Sequence, residues 1–334
     1  FMAIGQPYQI PLNGKGNKAQ VVNSDYQQLN MQFSFDKLSG FDVQNKAGIV
    51  FTELNLDDAH AVGRIGEPKL PALKKLIEIP AGAQVTVKVL NFKEEEIKLS
   101  NYGITNQLMP VQPSLRKDQD VNQVPFEFSK EAYGKNSFTE RPIAVVEELG
   151  TLRGVRIARL VISPVDYNPV TGELRVYNDI DVQVEFHNAN VALTKEIKAK
   201  TYSPYFDVVY SKLANYNGKD VFVDHPDLVK YPIKYLVIAD RMFESTLAPF
   251  IAWKTQKGFE VIVAYTDVIG NTNTAIKNYI TAQYNAGTVT DPAPSFILFV
   301  GDTPQIPASA TGSSSQKATR SEERRVGKEC RSRW

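Results

Sequence analysis

The chain has 334 residues, of which 43% are hydrophobic, 22% charged and 10% aromatic, and this profile excludes a disordered or collagen-like protein. Its formal net charge of +1 gives no indication of nucleic-acid binding, and no apolar run reaches the ~18 residues of a membrane-spanning helix. The single cysteine excludes an intrachain disulfide. The length is sufficient for two domains, each with its own core.

Residues 1–200 are predicted to be rich in β-strands. Val85–Leu90 and Ile180–Phe186 alternate apolar and polar residues, as strands with one exposed face do. Val155–Ile162 is rich in β-branched residues, and Leu174–Tyr177 again follows a period of two. Short strands separated by turns predict a β-sandwich-like domain.

Met109–Pro142 interrupts this pattern. The segment is polar, contains four prolines and has little periodicity, which predicts a long loop or a mobile arm. Long loops in compact domains are usually functional or disordered. Its basic residues are Arg116, Lys117, Lys130, Lys135 and Arg141.

The periodicity changes after Tyr231. Apolar strands are predicted at Ile233–Ala239, Glu260–Ala264 and Ser295–Val300, with amphipathic helices between them. Alternating strands and helices predict a parallel sheet covered by helices. We therefore predict a multi-domain chain with a β-rich domain at 1–200, a connector at 201–230 and an α/β domain at 231–319.

Residues 320–334 differ from everything before them. They lack an apolar period and contain six basic residues, three acidic residues and the only cysteine, Cys330. The segment resembles a translated sequencing adapter, so we expect it to have no fixed structure and no catalytic role. The alternative is a natural basic tail that binds an anionic partner.

Five polar residues are isolated site candidates. His60 is predicted in a polar helical or loop stretch and His187 at a strand end, and for both a surface position is the simpler interpretation. His225, in an Asp-His-Pro-Asp turn, could bind a metal or simply be solvated. Asp240 and Asp302 each end a predicted parallel strand, where α/β proteins place ligand sites. A helix-capping or turn-forming role is the alternative for both aspartates.

Both halves of the chain resemble one family, the gingipain-type cysteine peptidases. The second half resembles the opening of the peptidase domain at Tyr235–Asp240, Phe250–Gly258 and Phe296–Pro307. The first half is similar to the propeptide at Gly66–Pro71, Ile79-Pro80, Val85–Val89, Gly154–Arg156, Pro164–Pro169 and Gly172–Leu174. The strand followed by Val-Gly-Asp and Ile-Pro is the most specific of these matches.

This resemblance implies a secreted zymogen in which a β-rich prodomain precedes a caspase-like domain with a His–Cys dyad. Gly301 and Asp302 belong to the family motif near the site, and the dyad motifs lie C-terminal to it. Residues 1–319 contain no cysteine, so they cannot supply the thiolate that such catalysis needs. We therefore expect an N-terminal fragment that lacks the catalytic histidine and cysteine.

The resemblance also implies partners and a location. The prodomain would assist folding and block its own catalytic domain, with Arg116, Lys117 and Arg141 as candidate inhibitory residues in the arm; a solvated loop is the alternative. Protein or peptide substrates and an extracellular or cell-surface location are expected, and Phe1–Gly5 could be the end of a signal peptide. Relatives bind calcium, but no acidic cluster here is assigned to an ion.

A second class of function stays open. The chain could be a non-catalytic surface protein, with the β-domain binding carbohydrate or protein and the α/β domain as a scaffold. Gene sequence beyond Thr319 would distinguish the two, because a peptidase requires a Gly-His-Gly turn and a cysteine at a strand end.

Overall fold

The computed structural model of the chain describes residues 2–116, 119–120, 123–216 and 233–308. These residues form two compact units. Unit 1 contains the described residues of 1–152, 156–191 and 212–216, and unit 2 contains those of 153–155, 192–211 and 217–334. Among the described residues, none of the helices combines the length and apolar character that crossing a membrane requires.

Unit 1 is built from antiparallel sheets. Its strands are β1 (Met2–Pro11), β2 (Lys18–Ser24), β3 (Gln28–Ser34), β4 (Lys37–Gln44), β5 (Val50–Asn55), β6 (Ala59–Val62), β7 (Leu70–Ile79), β8 (Gln84–Lys98), β9 (Ala144–Leu152), β10 (Val155–Ile162), β11 (Val165–Asn168) and β12 (Glu173–His187). The sheet orders are β1-β4-β5, β6-β7-β10-β9 and β11-β12-β3-β2, with β8 also paired to β12. A short helix, α1 (Lys130–Gly134), precedes β9.

One apolar core connects these sheets. Ile10 of β1, Leu38 of β4, Ile77 of β7, Leu160 of β10 and Val182 of β12 are all fully or almost fully buried in it. The residues that face this core occupy alternating positions along the strands, as the sequence pattern predicts. In β12, for example, buried and half-buried residues alternate along much of the strand. The β-sandwich-like domain predicted from the sequence is confirmed.

β12 is one strand, whereas the sequence predicted two. The predicted strands Leu174–Tyr177 and Ile180–Phe186 join across a bulge at which the pairing with β8 shifts register. Asp179 has a positive φ of 46°, which lets the strand bend and continue. The polar residues Asn178 and Asp179 between the two predicted strands are buried in the bulge.

Unit 2 contains the parallel sheet. Its strands, in the order β14-β13-β15, are β13 (Ile233–Ala239), β14 (Phe259–Tyr265) and β15 (Phe296–Val300). Its helices are α2 (Val191–Thr201), α3 (Asp207–Tyr210), α4 (Glu244–Gln256), α5 (Thr266–Ile269) and α6 (Asn273–Asn285). Short 3₁₀ turns lie at Pro204–Phe206 and Arg241–Phe243 in unit 2, and another lies at Leu99–Tyr102 in unit 1. The predicted parallel βαβ arrangement is confirmed.

Alternate residues of the central strand β13 face two apolar layers. Tyr235 and Val237 pack with Leu247 of α4, while Leu236 and Ile238 pack with α6. The two layers explain why β13 has no polar face and reads as a continuous apolar run. β13 therefore forms the centre of a helix–sheet–helix arrangement.

Two local predictions were wrong. Residues 191–200 were included in the β-rich region, but α2 forms there because Ala, Leu, Lys and Glu are strong helix formers. The sequence predicts a helix or loop at His60, but this residue lies exposed in the short strand β6, where pairing with β7 determines the backbone conformation.

Candidate functional sites at the sheet edge and in the arm

Three strand ends meet at one edge of the parallel sheet. Ala239 pairs with Tyr265 in the register of β13 and β14, and with Val300 in the register of β13 and β15. Asp240 and the Gly301-Asp302 turn therefore follow at the same edge. Open α/β sheets bind their ligands at this edge.

Asp240 and Asp302 both bind backbone groups in the structure. Asp240 accepts a hydrogen bond from the Met242 N–H at 2.9 Å and begins the 3₁₀ turn Arg241–Phe243. Asp302 accepts from the Thr303 N–H at 2.8 Å, and its own N–H donates to Gln305 Oε1 at 3.1 Å. The capping and turn-forming interpretation of both aspartates agrees with this geometry.

Gly301 has a conformation that other residues rarely adopt. Its φ is +143°, and a Cβ there would lie only 2.6 Å from Gln305 Cβ. The turn after β15 therefore requires glycine at position 301.

Arg241 forms an ion pair that the sequence did not suggest. Its Nε lies 2.5 Å from Asp267 Oδ2, and its guanidinium lies 4.4 Å from the centre of the Tyr265 ring. The hydrogen bond from Arg241 lowers the pKa of Asp267. The pair links the ends of β13 and β14. Arg241 and Asp267 are 26 positions apart in the chain, and they meet because the two strands pair side by side.

The described histidines do not form a metal site. His60 is exposed in β6, and His187 ends β12 with its Nε2 2.8 Å from Thr86 Oγ1 and 3.3 Å from Glu185 Oε2. In the part of the chain that the structure describes, no three His, Cys, Asp or Glu side chains are arranged to hold a metal ion. His225 and the segment 320–334 with Cys330 lie outside the described residues.

The arm 109–142 is anchored, rather than being one long loop. Gln112 Nε2 donates to Glu127 O at 2.8 Å, and the Glu127 N–H donates to Gln112 Oε1 at 3.1 Å. Phe126 and Phe128 on either side of Glu127 contact the Phe51 ring at 5.4 and 6.2 Å. These contacts join residues 112 and 127 as the neck of a smaller loop, 113–126.

The three candidate inhibitory residues have different positions. Arg116 is exposed in the loop 113–126, and Lys117 lies outside the described residues. Arg141 is half-buried: its Nη2 donates to Val165 O at 2.9 Å and its Nε lies 4.0 Å from Asp166 Oδ1. The Arg141 guanidinium is thus bound within unit 1, and its role as a candidate inhibitory residue stays a prediction.

Comparisons with known proteins place both halves in one family. The sequence model of Propeptide_C25 matches residues 11–222, and that of Peptidase family C25 matches residues 229–323. Lys-gingipain of Porphyromonas gingivalis is 38% identical over 316 residues, which cover 94% of this chain. Gingipain R2 of the same organism is 26% identical over 320 residues, covering 93% of this chain and 40% of gingipain R2.

A solved structure gives the same assignment. The structure of Porphyromonas gingivalis gingipain K, described as an insight into its zymogenic latency, is 38% identical with a TM-score of 0.53. The match covers 55% of this chain and all of that one. The chain spans only 18% of the length of Lys-gingipain. The chain belongs to the gingipain family, the C25 cysteine peptidases, and carries a C25 propeptide followed by the start of a C25 peptidase domain.

Proposed function

We propose that this chain is the pro-region and first peptidase segment of a longer, secreted gingipain-like cysteine endopeptidase zymogen. The pro-region assists folding and keeps the peptidase latent, so its partner is its own catalytic domain. The observation that carries the proposal is the loop 113–126, closed at its neck by Gln112 and Glu127, with the basic residue Arg116 exposed on it.

A closed neck favours inhibition for a physical reason. A loop fixed at both ends loses less conformational entropy on binding than a free chain of the same length. An exposed cation on such a loop can occupy the position of a basic substrate side chain and exclude the substrate. Arg116 is therefore the proposed inhibitory residue, with Lys117 as a second candidate because it is the next basic residue in the sequence, while Arg141 anchors the end of the arm through Val165.

The chemistry itself requires residues beyond those of this chain. A thiolate attacks the peptide carbonyl, a histidine transfers the proton to the leaving amine, and hydrogen-bond donors stabilise the oxyanion. The described peptidase segment supplies part of the scaffold, with Gly301 and Asp302 at the edge where later residues would complete the site. Protein and peptide substrates outside the cell follow from this proposal.

The proposal is tested by inhibition in trans. The 334-residue chain is added to purified Lys-gingipain, and hydrolysis of a lysyl peptide substrate is followed at increasing chain concentrations. We expect inhibition, and an inhibition constant at least about tenfold higher for the variant with Arg116→Ala and Lys117→Ala.

The matched control is Arg159→Ala. Arg159 is also an arginine of unit 1, but it lies on β10 and pairs with Glu147 at 2.6 Å. Its substitution should leave inhibition unchanged. Absence of inhibition by the unaltered chain, or equal inhibition by the double variant, contradicts the proposal. Gene sequence beyond Thr319 that lacks a Gly-His-Gly turn and a strand-end cysteine would exclude an active parent enzyme.

A further inference from the structure

Arg153 forms an unusual set of hydrogen bonds within unit 2. Its Nε donates to Thr201 O at 3.0 Å, its Nη1 to Pro294 O at 2.8 Å and its Nη2 to Ala293 O at 3.2 Å. All three acceptors are main-chain carbonyls. The planar guanidinium can satisfy several acceptors at once, which a lysine ammonium at the end of a flexible chain cannot do in the same way.

Aromatic rings complete the surroundings of this side chain. The guanidinium carbon lies 5.0 Å from the centre of the Phe206 ring and 6.0 Å from that of Tyr284. Burial lowers the pKa of Arg153. A cation removed from water in this way is costly unless its hydrogen bonds are maintained, so loss of its acceptors would be strongly unfavourable.

The backbone beside Arg153 fits closely against α2. Thr201 Oγ1 donates to Arg153 O at 2.6 Å, and a Cβ on Gly154 would lie 2.4 Å from Ile197 Cγ2. Arg153 itself has a positive φ of 45°, a conformation that costs free energy and persists where surrounding contacts fix it. The turn 153–155 is therefore held in one position against the helix.

Residues 293–294, whose carbonyls accept from Arg153, are also bound by α2. The Ala293 N–H donates to Lys200 O at 2.9 Å, so residue 293 binds the end of α2 as well as Arg153. Nearby, the Tyr205 ring contacts Phe296 at 4.9 Å and Phe259 at 6.0 Å. These contacts extend from the loop before β15 across one face of the parallel sheet.

Unit 2 is thus assembled from both family segments. Arg153, α2 and Tyr205 lie within the propeptide match at 11–222, while Ala293, Pro294 and the sheet lie within the peptidase match at 229–323. We propose that Arg153 is the principal anchor that keeps the pro-region bound to the peptidase segment after the chain between them is cut. This inference rests on the proposed function, which makes the two segments pro-region and peptidase.

The anchor is tested by cutting the chain between the two segments. A recognition sequence for a specific protease is inserted between residues 222 and 229 of the 334-residue chain, and the cut protein is diluted in analytical ultracentrifugation. We expect the unaltered pieces to stay associated at micromolar concentration. Arg153→Ala should raise the dissociation constant at least about tenfold, as truncation of a central arginine does at interfaces.

Two further variants make the result specific. Arg153→Lys keeps the charge but not the fork of donors, so it should weaken association by an intermediate factor. Arg159→Ala removes a half-buried arginine of unit 1 bound to Glu147 and should leave association unchanged. Circular dichroism of the uncut variants identifies any that fail to fold, in which case Arg153→Lys decides the question.

Equal association of the Arg153 variants and the Arg159 control overturns the inference, as does separation of the unaltered pieces at micromolar concentration. The measurement needs no peptidase activity. If the pieces associate through Arg153 but the chain does not inhibit Lys-gingipain, the anchor stands and the proposed latency function fails.

Discussion

Asn178 and Phe35 bind each other through two hydrogen bonds in the core of unit 1. The Phe35 N–H donates to Asn178 Oδ1 at 2.9 Å, and Asn178 Nδ2 donates to Phe35 O at 2.8 Å. Both residues are almost fully buried. The Asn178 carboxamide thereby satisfies backbone groups beside the bulge in β12, where the regular strand pairing is interrupted.

Asn178→Ala is expected to destabilise unit 1. It leaves the N–H and C=O of Phe35 buried without these partners, at a cost of roughly 1–3 kcal/mol for each group. Urea unfolding should show the loss as a lower transition midpoint. The control is Asn91→Ala, which removes an exposed asparagine from β8 near the same bulge. Equal losses in the two variants would contradict the role assigned to Asn178.

Asp179 is expected to make stability depend on pH in the acidic range. Burial alone raises the pKa of Asp179, but hydrogen bonds from Lys93, the Ser34 hydroxyl and the Lys15 N–H outweigh it and lower the pKa to about 2. The folded-state pKa lies below the ordinary value of about 3.9, so the carboxylate stabilises the fold above about pH 4. This contribution is lost as the pH falls from about 4 towards 2.

The measurement is the unfolding free energy of the protein and of Asp179→Asn between pH 2 and pH 6. Asp179→Asn should flatten the dependence below pH 4. Lys93→Met, which removes the ammonium 2.7 Å from the carboxylate, should shift the loss to higher pH. Parallel curves for the protein and Asp179→Asn would exclude this assignment.

Gly154→Ala is expected to destabilise the chain more than Gly172→Ala does. Both glycines have positive φ, +79° and +67°, so alanine is strained at either position. At Gly154 the new Cβ would also meet Ile197 Cγ2 at 2.4 Å, whereas Gly172 has nothing within 4 Å. We expect an additional loss of about 1–3 kcal/mol at Gly154 from the steric conflict. Thermal unfolding of both variants measures it, and similar midpoints would argue against a close fit of the turn on α2.

Limited proteolysis is expected to cut the chain first within 201–231, the predicted boundary. Within that range we expect cleavage after Tyr216, because 192–211 packs in unit 2 and 212–216 packs in unit 1. Asn215, for example, accepts from the Glu78 N–H at 2.7 Å and donates to Glu78 O at 2.9 Å. Mass spectrometry locates the cut, and earlier cleavage at 150–190 would contradict the boundary.

Residues 1–319 are expected to hydrolyse no peptide, because they contain no thiol. The assay uses lysyl and arginyl peptide substrates with a reductant present. Cys330→Ala in the 334-residue chain should have no effect, since Cys330 lies in the segment that resembles an adapter translation. Hydrolysis that survives Cys330→Ala would reveal a different nucleophile and refute this account.

Local sequence patterns predicted strands correctly where the buried residues follow a simple period. The predicted strands Val155–Ile162 and Ile233–Ala239 match β10 and β13 in full, because each presents an unambiguous alternating or continuous apolar run. Patterns failed where distant residues decide the conformation. The bulge in β12 depends on Phe35, about 140 positions earlier in the chain, and no local signal in 173–187 indicates it.

The candidate sites also divide into those that local sequence predicts and those that depend on distant residues. The turn roles of Asp240 and Asp302 follow from partners within three residues, so the sequence suggested them. Arg153 binds Ala293 and Pro294 across 140 and 141 positions, and its position after Leu152 resembles any exposed hairpin turn. Such a contact becomes visible only when the fold has brought both segments together.

The position of β12 at the centre of its sheet determines when the pro-region can fold during synthesis. Val182 pairs with Met31 of β3 and with Val89 of β8, so all partners of β12 are made before it. The strands that form the core of unit 1 are therefore complete once residues up to about 187 have left the ribosome, before β13 begins at Ile233. Its long-range pairings make this step slow, but they place a folded pro-region ahead of the peptidase segment as that segment emerges.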